Sequence, residues 1–235
     1  MRNQLCPECA LALEKLWDDA AEFEWSETGY YTLRDEESEQ VRSRLDEASQ
    51  LQSESWNDAF AIYLELAEAG SPTAAYMVAW CSELGKGTDA DLWAAMEWYY
   101  KAIDGGSWMG SIEYSRVLNE LGYHELADEV LEDGIAANLA TAYFRQAKQR
   151  YERSRSRSAA RAVRPLLERA IELGHPRADH YLRGLQTFGK FGIREVRDGI
   201  RWSSNFMARY RESVANHEGT SRQPGSEPPR LEDLR

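Results

Sequence analysis

AAYMVAWCSELGKGTDADLWAAMEWYYKAIDGGS, residues 74–107, carries the two signals that decide the fold: small and aromatic residues at helical spacing, and glycines where one helix gives way to the next. Ala95, Trp98, Tyr99 and Ala102 recur at i, i+3, i+4 and i+7, which is one face of a helix. Ala59, Ile62, Tyr63 and Leu66 show the same spacing. Gly70 and Gly106 close these two stretches 36 residues apart, Asn138 and Gly174 stand 36 apart again, and 32 residues separate the middle pair. A period of that length reads as a series of helix pairs. Gly, which has no Cβ, or Asn, which tolerates the same backbone, predicts a left-handed cap at each of the four ends. Ser71-Pro72, Ser107 and His175-Pro176 read as openings of the second helix, with Pro at its first position. Ala74, Gly110, Ala142 and Ala178 follow each cap by four residues, small where two helices cross closely.

The quoted stretch resembles the Sel1-like repeat, whose pattern is a small residue, an aromatic, a Gly-x-Gly loop, an acidic helix start, then Ala-x-x-Trp-Tyr-x-Lys-Ala and Gly. Gly85-Lys86-Gly87 matches the loop and Trp98-Tyr99-Tyr100-Lys101-Ala102 the helix. The resemblance is close over residues 56–124 and looser over 125–188. There the loop at Tyr123 is short, and Pro165 falls nine residues before Gly174, predicting either a helix start or a kink. It implies an all-α chain, an α/α superhelical solenoid of about four Sel1-like helix pairs over 56–188, divided as 56–91, 92–124, 125–157 and 158–188. Each pair has too little core alone, so stacked neighbours supply the rest and both ends need covering. Residues 7–25 and 36–52 read as amphipathic helices joined by the turn-like Ser26-Glu27-Thr28-Gly29, making 1–55 an N-terminal helical cap. Within 189–215, residues 193–213 read as a C-terminal capping helix after Gly189 and Gly192, and the Pro-, Gly- and Ser-rich 216–235 reads as a disordered tail.

Composition narrows the function. Of 235 residues 43% are hydrophobic, with eight Trp and twelve Tyr, enough for amphipathic elements stacked on one another. No apolar run reaches the roughly 18 residues a membrane span needs, and the N-terminus lacks an export layout, so a cytoplasmic protein with reduced thiols is expected. The net charge of −12 conceals a division. Residues 1–140 hold eight basic and 29 acidic side chains, whereas residues 141–235 hold 20 basic and 11 acidic. An acidic field of that size speeds encounter with a basic partner and repels nucleic acid.

Motifs for chemistry are few. Cys6-Pro7-Glu8-Cys9 has the C-x-x-C spacing of zinc and thiol-redox sites, but no second close ligand pair and no βαβ pattern accompany it. Pro7 suits a first helical position, which makes Cys6 a cap and leaves Cys6 and Cys9 the weak metal candidates. His175 and His180 are five apart, which does not place two imidazoles on one helix face, and His175 falls at the repeat turn. No phosphate-binding Gly-rich loop, nucleophile elbow or metalloprotease motif occurs, so neither an enzyme nor a cofactor is expected. Arg150, Arg153, Arg155, Arg157, Arg161 and Arg164 form a basic stripe that could track phosphates. Apart from Tyr151 it has no interleaved aromatics for base stacking, which favours a solvated arginine face.

Subtracting the repeat core leaves a second apolar stripe. Trp93, Met96 and Tyr100 lie on it, flanked by Glu97 and Asp104. The positions 36 residues earlier are Asn57, Phe60 and Leu64, with Glu68 answering Asp104. An apolar stripe rimmed by carboxylates is either a protein-binding groove or packing against neighbouring helices. Sel1-like proteins are similar to bacterial adaptors and immunity factors. The resemblance and the charge together imply a non-catalytic scaffold, as an inhibitor gripping a basic toxin or secreted effector or as a general adaptor in signalling or envelope assembly.

Overall fold

The structure, a computed structural model, describes residues 23–192 together with 195 and 196. Residues 23–27 are helical, and α1 (Tyr30–Glu36), α2 (Glu39–Leu51), α3 (Trp56–Glu68), α4 (Pro72–Leu84), α5 (Leu92–Asp104), α6 (Trp108–Glu120), α7 (His124–Ala136), α8 (Ala140–Ser154), α9 (Arg157–Glu172) and α10 (Ala178–Thr187) follow. No strand occurs among the described residues. From α2 to α7 each helix packs on the next, the pattern of an α/α solenoid. The chain forms two compact units, one of residues 24–149 and one holding Phe23 with 150 onward, the division falling inside α8.

The sequence period is visible as one recurrent capping geometry. Gly70, Gly106, Asn138 and Gly174 all take positive φ, between 59° and 98°. After each, the next amide reaches back to close a Schellman loop: Ser71 N to Leu66 O at 3.0 Å, Ser107 N to Ala102 O at 2.9 Å, Leu139 N to Gly134 O at 2.9 Å and His175 N to Ala170 O at 2.9 Å. Ser71 and Ser107 then cap the next helix, their hydroxyls accepting from Ala74 N and Gly110 N at 3.1 Å each. The small residues sit where the helices cross. A Cβ on Gly110 would stand 3.3 Å from Ala102 Cβ, and one on Gly134 3.0 Å from Ala142 Cβ.

In the unit of residues 24–149, Ala59, Tyr63, Ala95, Tyr99 and Ala102 are buried on one continuous core with Tyr76, Val78 and Cys81 of α4. Alanine alternating with tyrosine lets backbones approach while the rings fill the gaps between them. The inter-unit loop is set by Gly87, at φ +73°, where an added Cβ would fall 2.1 Å from the Trp56 carbonyl oxygen and 2.8 Å from Phe60 Cβ. The entry into α8 is held from far away in sequence: the Glu27 carboxylate accepts from the backbone amides of Ala140 and Thr141 and from the Thr141 hydroxyl, the second of these at 2.8 Å. A carboxylate there satisfies orphan donors and meets the positive end of the helix dipole.

The second unit keeps a smaller core of Ala160, Val163, Leu167, Ala170, Ala178, Leu182 and Leu185. Several expectations change here and at the start of the chain. Pro165 neither starts α9 nor divides it: the helix runs unbroken from Arg157 to Glu172 around it. Pro176 is not the first residue of α10, which opens two residues later at Ala178, after a turn in which Ala178 N donates to His175 O at 3.2 Å. Between the turn at 28–29 and α2 lies the seven-residue α1, where no helix is expected from periodicity. The helix expected over 7–25 is described only from residue 23, the one over 193–213 only at 195 and 196, and the tail 216–235 lies outside the described residues.

Candidate protein-binding face

Asp91 begins the face by capping α5, its carboxylate accepting from Trp93 N at 2.9 Å and Ala94 N at 3.1 Å. This fixes the backbone under Trp93. Along α5, Ala95, Tyr99 and Ala102 turn into the core. On another face Trp93 and Tyr100 stand 63% and 62% exposed. They are seven residues, about two turns, apart, so their side chains project on the same side of the helix. Glu97 and Asp104 are exposed and complete the row 93, 97, 100, 104, in which each aromatic alternates with a carboxylate. Met96, three residues after Trp93, is half-buried and packs on the core.

The equivalent row on α3 is different. Phe60 and Leu64 are half-buried and packed against the core cluster, and Glu68 alone of the three is exposed. Phe60 lies beneath the Gly85–Gly87 loop. The positions on α7 that stand 32 residues after Trp93, Glu97 and Tyr100 are Glu125, Glu129 and Glu132, all exposed. The stripe thus passes from packed apolar residues to exposed aromatics to carboxylates over three successive helices. The α7 carboxylates are a part of this face that apolar counting missed, although the repeat offset points to them.

The remaining candidates are placed as follows. Cys6 and Cys9 lie outside the described residues; Cys81 is buried, and burial pushes its thiol up to about 12. Among the described residues no group of three or more His, Cys, Asp or Glu could hold a metal ion. His175 is buried in the turn before α10, its Nδ1 accepting from Arg177 N at 3.3 Å and its ring edge-on to Phe23 at 5.5 Å. Arg150, Arg155, Arg157 and Arg161 are exposed, Arg153 and Arg164 half-buried. Arg164 is tied to Glu168 at 2.7 Å and Glu195 at 3.0 Å. No helix among the described residues is long and apolar enough to cross a membrane.

No family model matches the sequence, and no curated protein matches it. Among solved structures the chain is similar to a Sel1 repeat protein from Oxalobacter formigenes, with 16% identity over 72% of this chain and 75% of that one and a TM-score of 0.51. The likeness shows a shared fold, the α/α solenoid of the Sel1-repeat kind.

Proposed function

We propose that the protein is a non-catalytic scaffold that grips a basic protein partner with the α5 face, and that it acts as an immunity or inhibitor protein against a cognate basic toxin or secreted effector in the cytoplasm. The observation that supports this reading is the pair Trp93 and Tyr100, each more than 60% exposed, alternating with Glu97 and Asp104. Large rigid aromatics are the residues that most often dominate a protein interface, and exposing two together has a solubility cost that a partner would remove. Carboxylates between and beside them, continued by Glu125, Glu129 and Glu132 on α7, suit a partner rich in Lys and Arg. The general adaptor reading uses the same face with several weaker partners.

The test is affinity capture from the native host with the wild type and a Trp93→Ala/Tyr100→Ala variant side by side. A single basic protein retained one-to-one by the wild type, released by raised salt and absent from the variant supports the inhibitor. Several partners retained by the wild type and lost from the variant would replace it with the adaptor. Equal capture by both forms would remove the α5 face from either.

A further inference from the structure

The outer row that carries Trp93, Glu97 and Tyr100 on α5 changes character along the repeats. Thirty-two residues on, it is Glu125, Glu129 and Glu132 on α7, and thirty-two further it is Arg157, Arg161 and Arg164 on α9. Positions four and then three residues apart stand on one face of a helix. The α7 and α9 rows therefore share one spacing and carry opposite charge.

Neither row is answered by its surroundings. Glu125, Glu129, Glu132, Arg157 and Arg161 are all exposed, and none of the five makes an ion pair among the described residues. Arg164, the third member on α9, is held by Glu168 and Glu195, which leaves Arg157 and Arg161 open. Elsewhere an arginine on a helix finds an acid three residues on, as Arg44 finds Glu47 and Arg169 finds Glu172. Arg157 and Arg161 instead stand four apart with like charge, and so do Glu125 and Glu129, so each row repels itself. An opposite row laid against either would relieve that repulsion. The relief of the two faces matches as well. Leu126 stands beside the acidic row at 43% exposure, whereas Ser158 and Ala162, beside the basic row, are exposed and small, so a helix bearing the larger side chain can come close.

We propose that α7 of one copy docks on α9 of a second copy, acidic row on basic row, so that the chain associates with itself. A second copy is the occupant because this sequence supplies both rows at the same spacing, each lacking an ion-pair partner of its own. Exposed ion pairs are individually weak and screened by salt, so the association is weak and salt-dependent. The proposal goes beyond the reading of the α5 face: it uses the α7 carboxylates but neither Trp93 nor Tyr100, and it involves no other protein.

Sedimentation velocity of the full chain at low and raised salt tests it. The expected result is reversible self-association with a Kd of about 100 µM at low salt, weakened about fivefold or more when the salt is raised. Arg157→Glu/Arg161→Glu and Glu125→Lys/Glu129→Lys should each be monomeric, and an equimolar mixture of the two should associate again, because each supplies the charge the other has lost. Should a reversed row disturb folding, the milder Arg157→Gln/Arg161→Gln should still weaken association about threefold. Trp93→Ala/Tyr100→Ala should associate as the wild type does, which separates failure here from failure of the α5 face. A wild type that stays monomeric at about 500 µM, association that raised salt leaves unchanged, or reversed variants that fail to associate when mixed would each overturn the proposal. A monomeric chain that retains a single-stranded oligonucleotide through Arg157 and Arg161 would overturn it too, and would assign the basic row to nucleic acid.

Discussion

Helices α3 and α5 hold the same place in successive repeats, yet α5 exposes two large aromatics on its outer row where α3 exposes none. Both place Ala and Tyr in the core at matching positions, Ala59 with Tyr63 and Ala95 with Tyr99. On the other face, exposed Asn57 stands where α5 has exposed Trp93, half-buried Phe60 matches half-buried Met96, and half-buried Leu64 stands where Tyr100 is exposed. Repeat register therefore fixes where a side chain stands, and the residue type placed at each exposed position decides what the face offers. A face for a partner arises where aromatics occupy the exposed positions of that row.

The largest effect is expected where the Gly87 backbone meets α3. Gly87→Ala drives a Cβ into the Trp56 carbonyl oxygen at a left-handed backbone position, and we expect a loss of about 3 kcal/mol or more in denaturant unfolding. Gly70→Ala has the same sign of φ but nothing within 4 Å of the added atom, so it should cost about 1 kcal/mol. Similar losses at both sites would mean that the loop does not press on α3.

Next in size is the charged cluster of Glu113, Arg116 and Arg145. Glu113 is buried, which raises its carboxyl, but Arg145 and Arg116 outweigh the burial and hold it below the ordinary carboxylate value. A folded value below the unfolded one gives stability that is present above the unfolded value and lost as pH falls through the folded one. Glu113→Gln should destabilise by about 2 kcal/mol near neutral pH and flatten the acid limb of stability against pH. An unchanged acid limb would show that Glu113 is not the group titrating there. Glu27→Gln, which weakens the cap on α8, should cost about 1 kcal/mol in thermal unfolding; no change would mean that the contact between positions 27 and 140 is not made in solution.

Much of the fold was legible in the sequence because it is local. The 36- and 32-residue intervals, the Gly or Asn at each cap, the capping serines and the small residues at the crossings each act within a few residues of themselves. Pro176 misled because it opens a turn rather than a helix, and Pro165 does not start α9 because the helix already begins eight residues earlier at Arg157. α1 was hidden because its seven residues are too few to show a helical period, although Tyr30 packs against the core. The stripe of candidate binding residues was legible as a row, but not as exposed or covered members. Phe60 lies against Gly87, 27 positions away, and Glu27 reaches a helix more than 100 residues on. A cavity lined by Trp25, Tyr30, Tyr63 and Tyr76 draws on residue 25, α1, α2, α3, α4 and α6, and no single window of sequence contains it.

The central claim is that Trp93 and Tyr100 serve a partner rather than the core, and thermal unfolding of Trp93→Ala/Tyr100→Ala alongside the capture experiment tests it. The account predicts a stability change within about 1 kcal/mol, a shift of a few degrees at most for a chain this size, together with loss of the basic partner. A variant that unfolds many degrees lower or aggregates would place the two rings in the core, and a variant that is stable and still captures the partner would show that the α5 face is not where it binds.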